Sequence, residues 1–338
     1  MKYIQDVIDT VEKSAKDKFD ARVNIGRLKY NHGTVLMSKL SGFKFDGENN
    51  LDLITKTPLT PTDSGWLQLC NYLKVPDAEW ILKNPDSVVS SVLTHWAELR
   101  SNESKSPLAL LRCKGSRLRA VLSDQYIPLD NLRVMETLNT ALDGIDQIDV
   151  RSYVDTDTRF CLKLTFPHLT RKHSRANGIE EYKTGIMIRN SETGHSSLVV
   201  APFLYRLACT NDLVVEKMTA LKHQHRWVTD SWLDSHMKQS CAAALGKSTE
   251  IFDAFVNSDT IRVNNPTETL QDLLKTNKYS QKVIDTAKSC FAAEPGNTAY
   301  SIINAVTAAG RVIREEGGMN QADSLESFGG ELLFRTSW

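Results

Sequence analysis

The segment Arg189–Ser197, RNSETGHSS, places Glu192, His195 and three serines within nine residues. These are the residue types of a nucleophile, a base and an orienting acid. A Ser–His–acid relay needs side chains that converge, and neighbours on one extended strand point to opposite faces. Asn190 and Ser191 make side-chain turn bonds, and Gly194 supplies a positive φ. The stretch therefore reads as the turn of a hairpin.

Other constellations fall to similar arguments. CAAALGKST (241–249) ends like a phosphate-binding loop, but its first glycine is replaced by Cys241 and a helical pattern precedes it where a strand is required. His223 and His225 could share one strand face for a metal, with Asp230 and His236 downstream, yet no third ligand has a matching spacing. Asp155 and Asp157 belong to VDTDTR, a turn composition. No catalytic, cofactor or metal set is expected.

The third pattern is cationic. Arg117 and Arg119 alternate in SRLRAVL, Lys163 alternates with Cys161 and Thr165 in RFCLKLTF, and Lys183 and Arg189 share a face of YKTGIMIR. As neighbours in one antiparallel sheet, these strands would be apolar and helix-covered on one side and basic on the other. Between them PHLTRKHSRANG, with Arg171, Lys172 and Arg175, reads as a polar, flexible loop over 167–178 that could clasp a phosphate backbone. Tyr182, Tyr205 and His168 are candidate stacking partners for unpaired bases.

The elements that must position these residues follow from periodicity. Residues 1–100 read as mostly helical, with Ile4, Val7, Ile8 and Val11 on one face and Val88, Val89, Val92, Trp96 and Leu99 on another. A Gly, Asn, Thr and Pro loop covers 42–63. Residues 101–227 read as a β-rich core: a hairpin about Lys114-Gly115-Ser116, a helix from Asp130 or Asn131 to Gly144, and strands at 147–154, 159–166, 182–189 and 196–201. Residues 228–338 read as helical, and could form one integrated domain with the core. The fold class is α+β, an antiparallel sheet in mid-chain with helices before and after.

Composition bounds the setting. The 338 residues carry equal numbers of acidic and basic side chains, 41 of each. The charge is nonetheless segregated: residues 124–157 hold eight acids against Arg133 and Arg151, and residues 159–190 hold seven bases against Glu180 and Glu181. No apolar run is long enough to span a membrane. The six widely spaced cysteines fit a reducing cytoplasm, that of a bacterial host in the setting inferred below.

The blocks LLRCKGSRLRAVLSDQYIPLDN, IMIRNSETGHSSLVVAPFLYRLACTNDLV and GNTAYSIINAVTAAGRV, preceded by PLTPTDSGWLQLCNYLKVPDAEWI, resemble the successive blocks of the phage and plasmid family called domain of unknown function 932, over roughly residues 55–335. The resemblance implies a mobile-element setting and brings no catalytic residues. In that setting the basic strip and loop point to a single-stranded DNA- or RNA-binding protein of the annealing or recombination kind, assembled as a homo-oligomeric ring or filament. Arg117, Arg119, Lys163, Arg171, Lys172, Arg175, Lys183 and Arg189 are the expected contacts. A metal-dependent nuclease, a protein that interferes with host defence and a scaffold oligomer are the alternatives.

Overall fold

A computed structural model of the chain describes residues 4–25, 28–31, 34–37, 58–102, 108–175, 178–207 and 211–338. The fold is α+β, with its main sheets built from the middle of the chain and helices on either side. Most of the expected 42–63 loop, together with Ala176, Asn177 and Cys209, lies outside the described residues.

The N-terminal region contributes α1 (Ile4–Ala15), β1 (Lys18–Asn24), β2 (Leu28–Asn31), β3 (Thr34–Met37), β4 (Thr60–Pro61), α2 (Asp63–Leu73), α3 (Ala78–Ile81) and α4 (Asp86–Ser101). Besides its helices the region contributes β1 and β4, strands of a sheet completed further along, which its helical periodicity does not announce. That sheet has the order β1-β5-β6-β4, with β5 (Leu108–Lys114) and β6 (Arg117–Ser123) forming the expected hairpin around Gly115 at φ 53°. The signal for β1 was the period-two burial of Ala21 and Val23 in KFDARVN. In α4 the buried stripe is Val89, Leu93, Ala97 and Arg100, so the expected face was rotated, and Val88 and Leu99 are exposed.

After α5 (Asn131–Ala141) come the strands of the larger sheet: β7 (Asp149–Asp155), β8 (Phe160–Arg175), β9 (Gly178–Asn190), β10 (Leu198–Arg206) and β11 (Asn211–Val214), with β12 (Leu221–His223) against β10. Its order is β11-β10-β9-β8-β7, and the pairs are antiparallel. The C-terminal helices are α6 (Asp230–Gly246), α7 (Ser248–Ser258), α8 (Pro266–Thr276), α9 (Gln281–Ala293), α10 (Ala299–Glu315) and α11 (Met319–Leu332).

Both faces of the larger sheet are covered. Phe160, Leu162, Leu164 and Phe166 pack with Val7, Val11, Val134, Leu138, Leu233 and Met237 from α1, α5 and α6. The opposite face buries Cys161, Met187, Val199, Ala201 and Phe203, and α11 lies close over β11, where a Cβ on Gly330 would come within 2.0 Å of the Val214 carbonyl oxygen. Fully burying one such aliphatic or aromatic side chain is worth about 1.5–3 kcal/mol. The face reserved for a basic strip is thus part of the core.

Candidate functional site

The hairpin from β9 to β10 has the expected turn, with Gly194 at φ 80° and Val199 opposite Arg189. Its composition conceals how deeply it is held. Asn190, Ser191, Glu192 and Thr193 are all buried. The Glu192 carboxylate accepts Lys18 Nζ at 2.8 Å, Arg119 Nη2 at 2.6 Å and the Asn131 backbone N–H at 2.9 Å. Burial raises the pKa of such a carboxyl. Here the Lys18 and Arg119 charges overcome that cost and hold it at about 2. Arg112 donates to the Glu192 carbonyl at 2.8 Å, and to Asp20 and Asp130. The turn is therefore the electrostatic joint between the two sheets.

The expected contact residues are not one surface. Arg117 and Arg119 lie on β6, in the other sheet from Lys163, Lys183 and Arg189, so the three strands cannot form one cationic face. Arg119 is buried against Glu192 and Asp157, and Arg117 pairs with Asp157 at 2.7 Å. Lys163 is 1% exposed and bonded to Asp212 at 2.7 Å and Glu326 at 2.6 Å, which keep it charged against the cost of burial. Lys183 pairs with Asp149 and Arg189 with Glu216.

Residues 167–175 of the expected flexible loop belong to a strand instead, and Ala176 and Asn177 lie outside the described residues. β8 and β9 continue past an irregularity between Thr165 and Thr170 as a paired arm, with Thr170 opposite Lys183 and Arg175 opposite Gly178. Arg175 anchors the arm to the helices through Glu180, Asp259 and Glu294, its guanidinium 3.8 Å from the Tyr300 ring centroid. Lys172 is exposed beside Glu181, and Arg171 donates to Thr249. Of the expected stacking rings, Tyr182 is buried against Phe252 and Phe255, and Tyr205 lies under the Arg151 guanidinium. His168 remains exposed, edge-on to Phe166.

A different group of side chains is left open to a ligand, in the connection from β12 to α6. His223 Nε2–H donates to the Arg226 carbonyl at 2.8 Å, and the His225 carbonyl accepts Ile127 N–H at 3.0 Å. Thr229 caps α6 by accepting Trp232 N–H. Pinned from both sides, Trp227 takes φ 59° and stands 86% exposed. A bulky residue with positive φ is a backbone outlier that costs on the order of 1–3 kcal/mol. Beside it in the sequence, Trp232 stacks on His236 with ring centroids 4.2 Å apart and meets His223 at 4.1 Å. Lys222 and Arg226 are exposed, and neither has a carboxylate partner among the described residues.

The two histidines that could share a metal are split by this geometry. His225 turns inward to bond the Tyr126 hydroxyl, and burial lowers its pKa to about 4, with the Arg112 charge adding to the effect. Among the described residues no group of three or more His, Cys, Asp or Glu side chains could hold a metal ion. Asp155 is engaged by Asn131 and Tyr153, and Asp157 by the arginines. Lys247 follows a helix and pairs with Glu250. Among the described residues no helix is long and apolar enough to cross a membrane.

No family model, curated protein or solved structure matches the chain. The resemblance to the phage and plasmid family rests on the quoted sequence blocks.

Proposed function

We propose that the protein binds single-stranded nucleic acid, with the β12–α6 connection as its primary contact in place of a basic sheet face. The carrying observation is Trp227, a solvent-exposed indole held out by an unfavourable backbone conformation. Such strain persists where the surroundings impose it, and it collects at ligand-contacting positions. Base–aromatic stacking contributes about 1–3 kcal/mol per base and is indifferent to sequence. The Trp227 ring offers a π-face, while Lys222 and Arg226 provide charge for the flanking phosphates. An annealing or recombination role in a mobile element accords with this contact mode and with the sequence resemblance.

Fluorescence anisotropy with a labelled oligonucleotide at several salt concentrations tests the reading. Trp227→Ala is expected to weaken binding by about 1–3 kcal/mol irrespective of sequence. Lys222→Ala combined with Arg226→Ala is expected to flatten the salt slope by about 1.4 units, at roughly 0.7 per phosphate. Binding that is unchanged in both variants would remove the connection from the interface. Absence of binding at low salt would remove the function.

A further inference from the structure

The buried turn does bring a serine, the histidine and a third hydroxyl into line, although the serine is none of its own. Ser64 Oγ lies 2.9 Å from His195 Nε2, and His195 Nδ1 lies 3.0 Å from Thr193 Oγ1. Ser64 belongs to the first turn of α2, whose cap is Thr62, with the Thr62 side chain accepting Gly65 N–H at 3.1 Å. Two glycines permit the meeting. A Cβ on Gly65 would sit 2.5 Å from the Leu118 carbonyl oxygen, and one on Gly194 would sit 2.7 Å from Leu122 Cδ2. Gln68, one turn along α2, donates to the Thr193 carbonyl at 2.8 Å and accepts Val121 N–H at 2.9 Å, locking helix, turn and β6 together.

The hydroxyl protons can be assigned by elimination. Ser191 donates to the Thr158 carbonyl at 2.7 Å, and Thr193 donates to the Asp157 carbonyl at 2.9 Å. Thr193 Oγ1 can then only accept from His195, so Nδ1 carries the imidazole proton. Nε2 is left bare and accepts the Ser64 hydroxyl proton. This is the tautomer and direction that a serine nucleophile needs from its base.

His195, partly buried at the turn, lines with Ser196 a cleft of about 760 Å³, and Ser64 sits just outside that lining on the other side of the imidazole. The cleft's arginines are neutralised, Arg159 by Asp323 and Arg189 by Glu216. Around them lie the neutral Asn277, Tyr279 and Ser324, the exposed Glu331 carboxylate, and Ser196, whose buried Oγ has no hydrogen-bond partner among the described residues. A lining with one carboxylate in excess of its paired arginines suits a hydroxyl-rich molecule, which can donate to it, better than a polyanion.

We propose that Ser64 and His195 form a catalytic nucleophile–base pair that hydrolyses an acyl ester of a polyhydroxylated molecule, whose polyol part lies in this cleft and whose acyl group reaches past His195 to Ser64, with Thr193 as the positioning residue. Ser64 Oγ adds to the ester carbonyl carbon as its proton passes to His195 Nε2. The bond to the alcohol oxygen then breaks, Nε2–H protonates that oxygen, and the acyl group remains on Ser64. Water next gives a proton to Nε2 and adds to the acyl carbon, after which Ser64 Oγ departs and recovers the proton. The products are a carboxylic acid and an alcohol. Thr193, being neutral, fixes the imidazole without balancing its charge, so the pair lacks what a carboxylate supplies.

The test uses the full chain, a fluorophosphonate probe read by peptide mass spectrometry, and acetate release from an O-acetylated monosaccharide. The expected result is a single adduct on Ser64, with acetate release falling roughly 100-fold or more in both Ser64→Ala and His195→Gln, the usual range for loss of general-base assistance. Melting temperature monitors folding in both variants. The rate should rise with pH to a plateau whose midpoint lies below 6.5, because burial of His195 outweighs its hydrogen bond to Thr193 and lowers its pKa. Thr193→Val should displace that midpoint, which a purely structural role would leave in place. An unlabelled Ser64 in folded protein, or acetate release unaffected by Ser64→Ala, overturns the proposal.

Discussion

Two short connections at the edge of the larger sheet, the 190–197 turn and the 224–229 segment, use polar and charged residues in opposite ways. In the first, Glu192 gathers Lys18, Arg119 and the Asn131 amide around a carboxylate that is 1% exposed. In the second, Lys222 and Arg226 stay in water and Trp227 is held outside the core. A charge that finds an internal partner has spent its field on the fold, while one left in water can still meet a ligand. The difference separates cations that build the molecule from cations that could read something else, and each side can be tested.

Glu192→Ala should produce the largest effect. It removes the carboxylate partner of Lys18 and leaves the buried Arg119 with Asp157 alone, and breaking a buried pair from one side costs about 3–5 kcal/mol. Chemical denaturation would measure it, and a loss below 1 kcal/mol would mean that the joint between the sheets is held by packing alone. A control comes from Lys172→Ala, where an exposed ion pair with Glu181 is lost and a change within about 0.5 kcal/mol is expected.

Acid should dismantle the same joint in two overlapping steps. The folded pKa of His225 is about 4, below the ordinary 6.5. The unfolded chain therefore binds this proton more readily, and stability falls as pH drops from about 6.5 to 4. Glu192 is likewise depressed, from 4.5 to about 2, so its contribution is present above 4.5 and lost as pH falls through that range to 2. Each shift amounts to about 3 kcal/mol at 1.36 kcal/mol per unit. Removing the carboxylate should flatten the lower part of a stability-versus-pH curve, and His225→Asn should flatten the upper part. A curve flat between pH 6.5 and 4 in the parent protein would contradict the assignment to His225.

Local patterns made much of the architecture legible. Period-two alternation in RFCLKLTF and YKTGIMIR located β8 and β9, and Gly115, Gly144 and Gly194 all take positive φ where turns or a helix end were expected. Alternation cannot say which sheet a strand joins or whether its polar face is covered. The pattern therefore assigns β6 to the wrong sheet and Lys163 to the surface, whereas α11 brings Glu326 onto Lys163. The extension of β8 to Arg175 leaves no alternation to read, because PHLTRKHSR is polar on both sides. Nothing local could pair Ser64 with His195 across 131 positions. Trp227 was readable as a residue, but neither its exposure nor its φ has a sequence signature.

A smaller expected effect than that of Glu192→Ala has the opposite sign and bears on Trp227 itself. If the indole is held at φ 59° for binding, the fold should gain when the strain is relieved. Trp227→Asn keeps a side chain that tolerates the left-handed region, and Trp227→Gly removes the Cβ that makes the region costly. Because the indole is 86% exposed, its loss forfeits little burial, so relief should dominate. Trp227→Asn should raise stability by about 1 kcal/mol, the lower end of the usual cost of such strain. Trp227→Gly should gain less, since glycine adds freedom to the unfolded chain. Both should bind an oligonucleotide more weakly than the parent. Stability and affinity moving in opposite directions at one exposed residue would mark a position shaped by its ligand. A fall in stability in both variants would show instead that the indole packs usefully, and would return Trp227 to the structural side of the comparison.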